Sequence, residues 1–190
     1  AVETMTELIE YYKGIFTILS SCASRQLEEV TFRRTVIPVQ ELLDAAGKYF
    51  KKLMKNRPER IELEIESMEA KVIGDVNQLR FLLENLIDEA LTVREDGVIR
   101  LQARKDNEYI RFLFTDTRRE KSVEELNQLF YPNLARMTSG EKGELRGTEY
   151  LVCKQIIRDH DEFAGRRGCR INAEPAEGGG FTVYFTIPRR

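Results

Sequence analysis

Between Met5 and Glu29, apolar residues recur at three- and four-residue steps: Leu8, Ile9, Tyr12, Ile15, Phe16, Leu19, Cys22, Ala23 and Leu27. That spacing puts one apolar stripe on a long helix, with Gly14 as its weak point. Such a stripe needs a partner, either the rest of this chain or the same helix of a second copy. Pro38 follows TFRRTVI and excludes helix there. A second stripe (Leu42, Leu43, Ala46, Tyr49, Phe50, Leu53) predicts a helix over about 39–55, ended by Asn56 to Pro58. IELEIE (61–66) alternates strictly and predicts a half-buried strand; KVIGD reads as a short strand ending in a turn. Asp75 is placed to cap a helix running to about Thr92. VIRLQAR (98–104) and YIRFLFT (109–115) alternate again and are joined by KDNE, a hairpin pattern. Ser122 with Glu125 three residues later is a capping-box pattern, opening a short helix to Phe130. The polar, glycine-bearing stretch 131–146 predicts a loop. Helix follows over 147–160, then a basic turn at 165–168. CRINA (169–173) and FTVYFTI (181–187) are strands joined through EGGG.

Helices gathered on one face of a mixed, mostly antiparallel sheet make an α+β, two-layer sandwich. The expected division is a helix and linker over 1–35 and one domain over 36–190. A length of 190 residues suits one domain with an appendage. The first residue is Ala1, so a longer or processed parent chain is expected.

Composition narrows the function. A net charge of -2 argues against a non-specific nucleic-acid binder. No apolar run approaches the roughly 20 residues that span a membrane, and no signal-peptide pattern is present, so no membrane contact is expected of this stretch. Cys22, Cys153 and Cys169 are an odd number at no metal-ligand spacing, beside a single histidine. Reduced thiols in a cytoplasmic setting are expected, rather than a zinc site. Nothing in the spacing supports a cysteine-histidine or serine-histidine-acid nucleophile.

Six stretches in order carry a resemblance over about 8–188: VTFRRTVIPVQELL, VIGDVNQLRFLLENLIDEAL, YIRFLFTDT, VEELNQLF, GTEYLVCKQIIRDH and EGGGFTVYFTIP. Together they resemble the ATP-binding domain of bacterial sensor histidine kinases, the Bergerat or GHKL fold, preceded by the second helix of the dimerisation hairpin. The stretches correspond to the linker, the asparagine-box helix, the first glycine box, the phenylalanine box, the second glycine box and the closing hairpin. The resemblance implies ATP and Mg²⁺ as ligands, a homodimer through the N-terminal helix, a response regulator as partner, and attachment of the parent protein to a membrane on its cytoplasmic side.

The same resemblance marks Asn85, Glu89, Asp116 and Gly147 as the nucleotide-site positions, with Glu89 as a candidate Mg²⁺ ligand. Each box departs from the family pattern. Glu89 stands where the second asparagine is usual, bringing negative charge towards phosphates. Arg118 and Glu120 replace the glycines that follow Asp116, and neither adopts φ > 0 cheaply. Glu149 and Leu151 fall on small positions after Gly147; a glutamate at that helix end is expected to stand in for a bound anion. Lys142, Arg146 and Lys154 remain as cations nearby. The alternatives at Asp116 and along the Asn85–Glu89 face are a turn cap and a ligand-free polar face.

The histidine that accepts phosphate in the family lies upstream of this chain. His160 is read as a helix C-terminal residue, well placed there when protonated. DEFAGRRGCR is unusual for the family, and Arg166 and Arg167 in it form either a partner contact or a solvated turn. Three readings follow: a degenerate kinase-like signalling module without useful ATP turnover and with no catalytic residue of its own; a divergent but active histidine kinase; and a serine-directed switch kinase or anti-sigma-type regulator.

Overall fold

A computed structural model describes residues 5, 6, 9, 32–132, 138, 139 and 145–190. Most of the stretch 5–29, where the long helix is expected, and most of the 131–146 loop lie outside the described residues, as do Lys142 and Cys22.

The chain runs β1 (Thr35–Pro38), α1 (Val39–Met54), β2 (Ile61–Ile65), β3 (Lys71–Gly74), α2 (Val76–Ala90), β4 (Gly97–Asp106) and β5 (Tyr109–Asp116). It continues through α3 (Val123–Asn127), β6 (Thr138–Ser139), β7 (Leu145–Arg146), α4 (Glu149–Phe163), β8 (Ile171–Pro175) and β9 (Phe181–Pro188). Five strands form the main sheet in the order β2-β4-β5-β9-β8, and β1 pairs with β3 in a small second sheet. β2 runs parallel to β4; the other main-sheet pairs are antiparallel. The mixed, mostly antiparallel α+β sandwich is therefore the observed fold.

Alternation decides which face is covered. Along β5, Ile110, Phe112, Phe114 and Asp116 are buried, and the residues between them are half-exposed. Their partners on β9 are Ile187, Phe185, Val183 and Phe181. Phe112 and Phe185 stack with centroids 4.9 Å apart and planes 6° apart, a contact contributing about 0.5–1.5 kcal/mol beyond its buried area. Helices α1, α2 and α4 cover this face with Leu42, Leu43, Leu79, Leu82, Leu83, Leu86, Ile156 and Ile157. The other face carries Thr115 bonded to Thr182, and Arg111 over the Tyr184 ring.

Strand β1 is a difference from the sequence expectation, which placed only a helix break in this stretch. Its register pairs Thr35 with Gly74 and Pro38 with Lys71. Pro38 is both the last residue of β1 and the N-cap of α1, so its missing N–H falls outside the helix interior, where it would cost a bond. The hairpin of β4 and β5 is longer than the alternating stretches suggested and turns at Asn107, the one described non-glycine residue with positive φ (53°). Helix α3 carries the expected capping box, with Ser122 and Glu125 bonded reciprocally.

Helix α2 begins as Asp75 predicts. One carboxylate oxygen accepts from the N–H groups of Asn77 and Gln78 at 3.0 and 3.1 Å, and the other accepts from Arg33 N–H at 2.9 Å. Asp75→Ala removes all three bonds. The expected loss is about 1–2 kcal/mol of unfolding free energy by urea titration, and a loss below about 0.5 kcal/mol contradicts this role for the cap.

Candidate functional site

Strand β5 delivers Asp116 to the helix-covered face, beside the C-terminal end of α2. The residue is 3% exposed. Two residues on, Arg118 folds back so that its side chain is only 1% exposed. Its guanidinium donates Nε–H to Asp116 Oδ1 and Nη2–H to Asp116 Oδ2, both at 2.9 Å. Further bonds go to the carbonyls of Ala90 at 2.6 Å and of Val93 and Glu95 at 3.0 Å. A guanidinium has five N–H donors, and all five are used. Asp116 Oδ1 also accepts the Arg118 backbone N–H at 3.0 Å. The cation thus closes the carbonyl-rich end of α2, where helix polarity favours positive charge.

Arg118 and Glu120 were expected to rule out a tight glycine turn, since neither adopts φ > 0 cheaply. Among the described non-glycine residues only Asn107 has positive φ, so the loop has taken a conformation that larger residues adopt without strain. Glycine is needed elsewhere. A Cβ on Gly180 (φ 84°) would lie 2.1 Å from the Asp116 carbonyl oxygen, and one on Gly97 would lie 2.5 Å from Arg118 Cγ.

Glu89 and Asp116 line one cavity with Leu86, Ala90, Phe114 and Phe181. Its volume is about 20 Å³, room for roughly one water molecule, against the roughly 300–1,000 Å³ of pockets that enclose small ligands. Asn85 and Gly147 do not line it. The Asn85 amide instead donates to the Phe81 carbonyl one turn back, at 2.7 Å. Gly147 has φ 83° and leads into α4 through Thr148, whose side chain makes no capping bond.

Glu149 is the acidic residue in the first turn of α4. Its carboxylate raises the proton affinity of both Asp88 and Cys153, so it faces α2. Its Oε2 atom is buried and has no hydrogen-bond partner among the described residues. Burial, opposed by a 2.6 Å bond from Tyr49 Oη and reinforced by Glu149, leaves the Asp88 carboxyl above its usual range. Lys154 sits 4.6 Å from the centre of the Tyr131 ring, a cation-π contact. Among the described residues there is no group of three or more His, Cys, Asp or Glu side chains that could hold a metal ion.

His160 lies in the last turn of α4, as expected from sequence. It is fully buried. Nε2 accepts the Asp75 backbone N–H at 3.1 Å, and Nδ1–H donates to the Ile156 carbonyl at 2.8 Å. Burial holds its pKa down at about 4. The ring explains the glycine of the GD turn, since a Cβ on Gly74 would come within 2.8 Å of it. Both described cysteines are buried, and burial pushes the Cys169 thiol up to about 12 and Cys153 in the same direction. Neither is a nucleophile at neutral pH.

The profile of the histidine kinase-, DNA gyrase B- and HSP90-like ATPase family matches residues 74–190. The chain belongs to that family. No curated protein sequence is similar to it. Solved histidine kinase structures share the fold. The nucleotide-free catalytic domain of histidine kinase ThkA superimposes with a TM-score of 0.64 at 21% identity, over 83% of this chain and 96% of that one. The mycobacterial sensor histidine kinase MprB gives 0.64 at 18% identity, over 83% and 99%. ThkA in complex with the response regulator TrrA gives 0.64 at 19% identity, over 100% of this chain and 53% of that one. As a histidine kinase-like ATPase domain, the chain has a fold consistent with two-component signalling. No helix among the described residues is long and apolar enough to cross a membrane.

Members of this ATPase family bind ATP, typically with Mg²⁺. The described residues beside Asp116 leave little room for that ligand. The aspartate that would receive the adenine amino group is held by a guanidinium on both oxygens, and the space beside it takes about one water molecule.

Proposed function

We propose that this domain is part of a two-component sensor histidine kinase-like protein, retained for its fold and its contacts, with a nucleotide site that no longer binds or turns over ATP efficiently. One observation carries this reading: Arg118 uses every N–H of its guanidinium on Asp116 and on the end of α2. The site is closed by the chain's own bonds, in a form that a ligand would have to break. Glu89 adds negative charge to the wall of what remains. Asp116, Asn85, Glu89 and Gly147 are then vestiges of the nucleotide site, and Mg²⁺ has no triphosphate to bridge at Glu89. The division into a dimerising helix and linker over 1–35 and a domain over 36–190 belongs to the same proposal. So do a homodimer, a cytoplasmic location and a response regulator as partner, of the kind seen bound to ThkA.

The test is calorimetric titration with ATP and Mg²⁺ beside tripolyphosphate, which has the phosphates without the base. A base-binding pocket makes ATP the tighter ligand. The expected result is that ATP binds no more tightly than tripolyphosphate, and that Glu89→Asn alone does not change this. ATP binding tighter by tenfold or more would support the divergent, active kinase instead. At a hundredfold excess over its dissociation constant, such a ligand would stabilise the fold by about 2.7 kcal/mol.

A further inference from the structure

On the far side of the domain from Asp116 the chain builds a second, much larger concavity of about 530 Å³. Arg34, Arg166, Arg189 and Arg190 line it, and Ile73 and Pro188 are among its apolar residues. The arginines come from three separate stretches: the lead into β1, the turn after α4 and the end of β9. Their backbones are tied to the fold. Arg189 N–H donates to the Glu108 carbonyl at 2.8 Å and Arg190 N–H to the Lys71 carbonyl at 3.1 Å. The turn after α4 is shaped around Arg34, because Gly165 has φ 94° and a Cβ there would lie 2.8 Å from Arg34 Nη1.

The charge in this groove is not neutralised. Arg166 pairs with Glu108 at 2.9 Å. Arg34, Arg189 and Arg190 have no ion pair among the described residues. Outside the groove, seven described arginines have carboxylate partners: Arg57, Arg94, Arg100, Arg104, Arg111, Arg118 and Arg167. Three arginines without an ion pair among the described residues thus share one concave place, on a chain whose net charge is -2; Arg33, Arg60, Arg80, Arg119, Arg158 and Arg170 also lack an ion pair but do not line this groove. Like charges crowded together repel, and an anion between them relieves that repulsion. Planar guanidinium groups suit phosphate oxygens, which they grip with paired N–H donors. The volume lies in the range of sites that enclose a small molecule.

We propose that this groove binds an oligophosphate group through Arg34, Arg189 and Arg190, independently of the closed site at Asp116. The phosphate chain is recognised, and no base-specific contact is involved, so a nucleoside polyphosphate and an inorganic one are equivalent ligands. The probe is tripolyphosphate, with ATP and citrate as comparisons, titrated into the wild-type chain at 50 and 200 mM salt. Tripolyphosphate and ATP are expected to bind alike and citrate at least tenfold more weakly; affinity for the phosphates falls with salt. The double variant Arg34→Gln/Arg189→Gln should weaken tripolyphosphate by roughly tenfold or more, the scale of losing bonds to charged groups. Its thermal midpoint without ligand should stay at the wild-type value. Arg119→Gln/Lys121→Gln, at the small cavity beside Asp116, should leave tripolyphosphate binding unchanged. No binding of tripolyphosphate, equal binding of citrate, or loss of binding in the Arg119/Lys121 variant alone overturns the proposal. ATP binding more tightly than tripolyphosphate, with tripolyphosphate still lost in the Arg34/Arg189 variant, sinks the closed-site reading and leaves the groove standing.

Discussion

Arg118→Ala is expected to destabilise the domain by about 3–5 kcal/mol, the range for removing one partner of a buried ion pair. The substitution strands an aspartate that is 3% exposed, and it removes the donors that serve the carbonyls of Ala90, Val93 and Glu95. Neither loss is repaired by a cavity with room for about one water molecule. Measured against a typical total of 5–15 kcal/mol, this is a large share of the fold's stability. Arg118→Lys should recover only part of it, since one ammonium offers three donors where five bonds now exist. The double replacement Asp116→Asn/Arg118→Leu removes both charges together. It should lose less than Arg118→Ala alone, because no unpaired ion remains. Urea denaturation of the four proteins gives the answer. A cost under about 1 kcal/mol for Arg118→Ala, the scale of an exposed ion pair, would mean that the guanidinium is ornamental. The closure of the nucleotide site would then lose its physical basis.

That pair also shows where sequence stopped being informative. Arg118 and Glu120 are bulky and charged where the family resemblance leads one to expect glycines. Their bulk and charge do not say that Arg118 turns back through two residues to hold Asp116 and three carbonyls of another element. A bidentate contact at i, i+2, combined with bonds 23 to 28 residues away, leaves no periodic trace. Alternation and three-four spacing, by contrast, report which face is buried, and this is why α1, α2 and the β4–β5–β9 face were legible. Strand β1 was hidden for the opposite reason: of its four residues only Ile37 is buried, so no alternation marks it, and Pro38 drew attention to what it prevents. Arg34, Arg189 and Arg190 are ordinary surface residues in sequence. Only the pairing of Val72 with Arg189 and of β1 with β3 brings them together.

His160 lies in the last turn of α4, where sequence places it, but its burial depends on the GD turn 85 residues earlier and leaves no local trace. Burial decides the sign of its pH effect. A protonated ring would be favoured at a helix terminus; the structure holds a neutral imidazole whose pKa falls from 6.5 to about 4, chiefly through burial. The Ile156 carbonyl and the Asp75 carboxylate pull the other way without overcoming it. Above pH 6.5 the ring is neutral in both folded and unfolded chains, so its full contribution to stability is present. Between pH 6.5 and 4 the unfolded chain binds a proton that the folded one refuses. Stability then falls with acid by up to about 1.4 kcal/mol per pH unit, or about 3 kcal/mol over the interval, and the contribution levels off below it. Asp88, raised by burial, titrates with the opposite sign and would blunt the slope. The comparison with His160→Gln isolates the histidine, because Gln can still accept the Asp75 N–H and cannot titrate. Urea unfolding free energies at half-unit steps from pH 7.5 to 4 should show the wild type losing about 2–3 kcal/mol more than the variant. Parallel curves for the two proteins would show that the imidazole protonates in place, and that the junction between α4 and the start of α2 is wet enough to accept a charge.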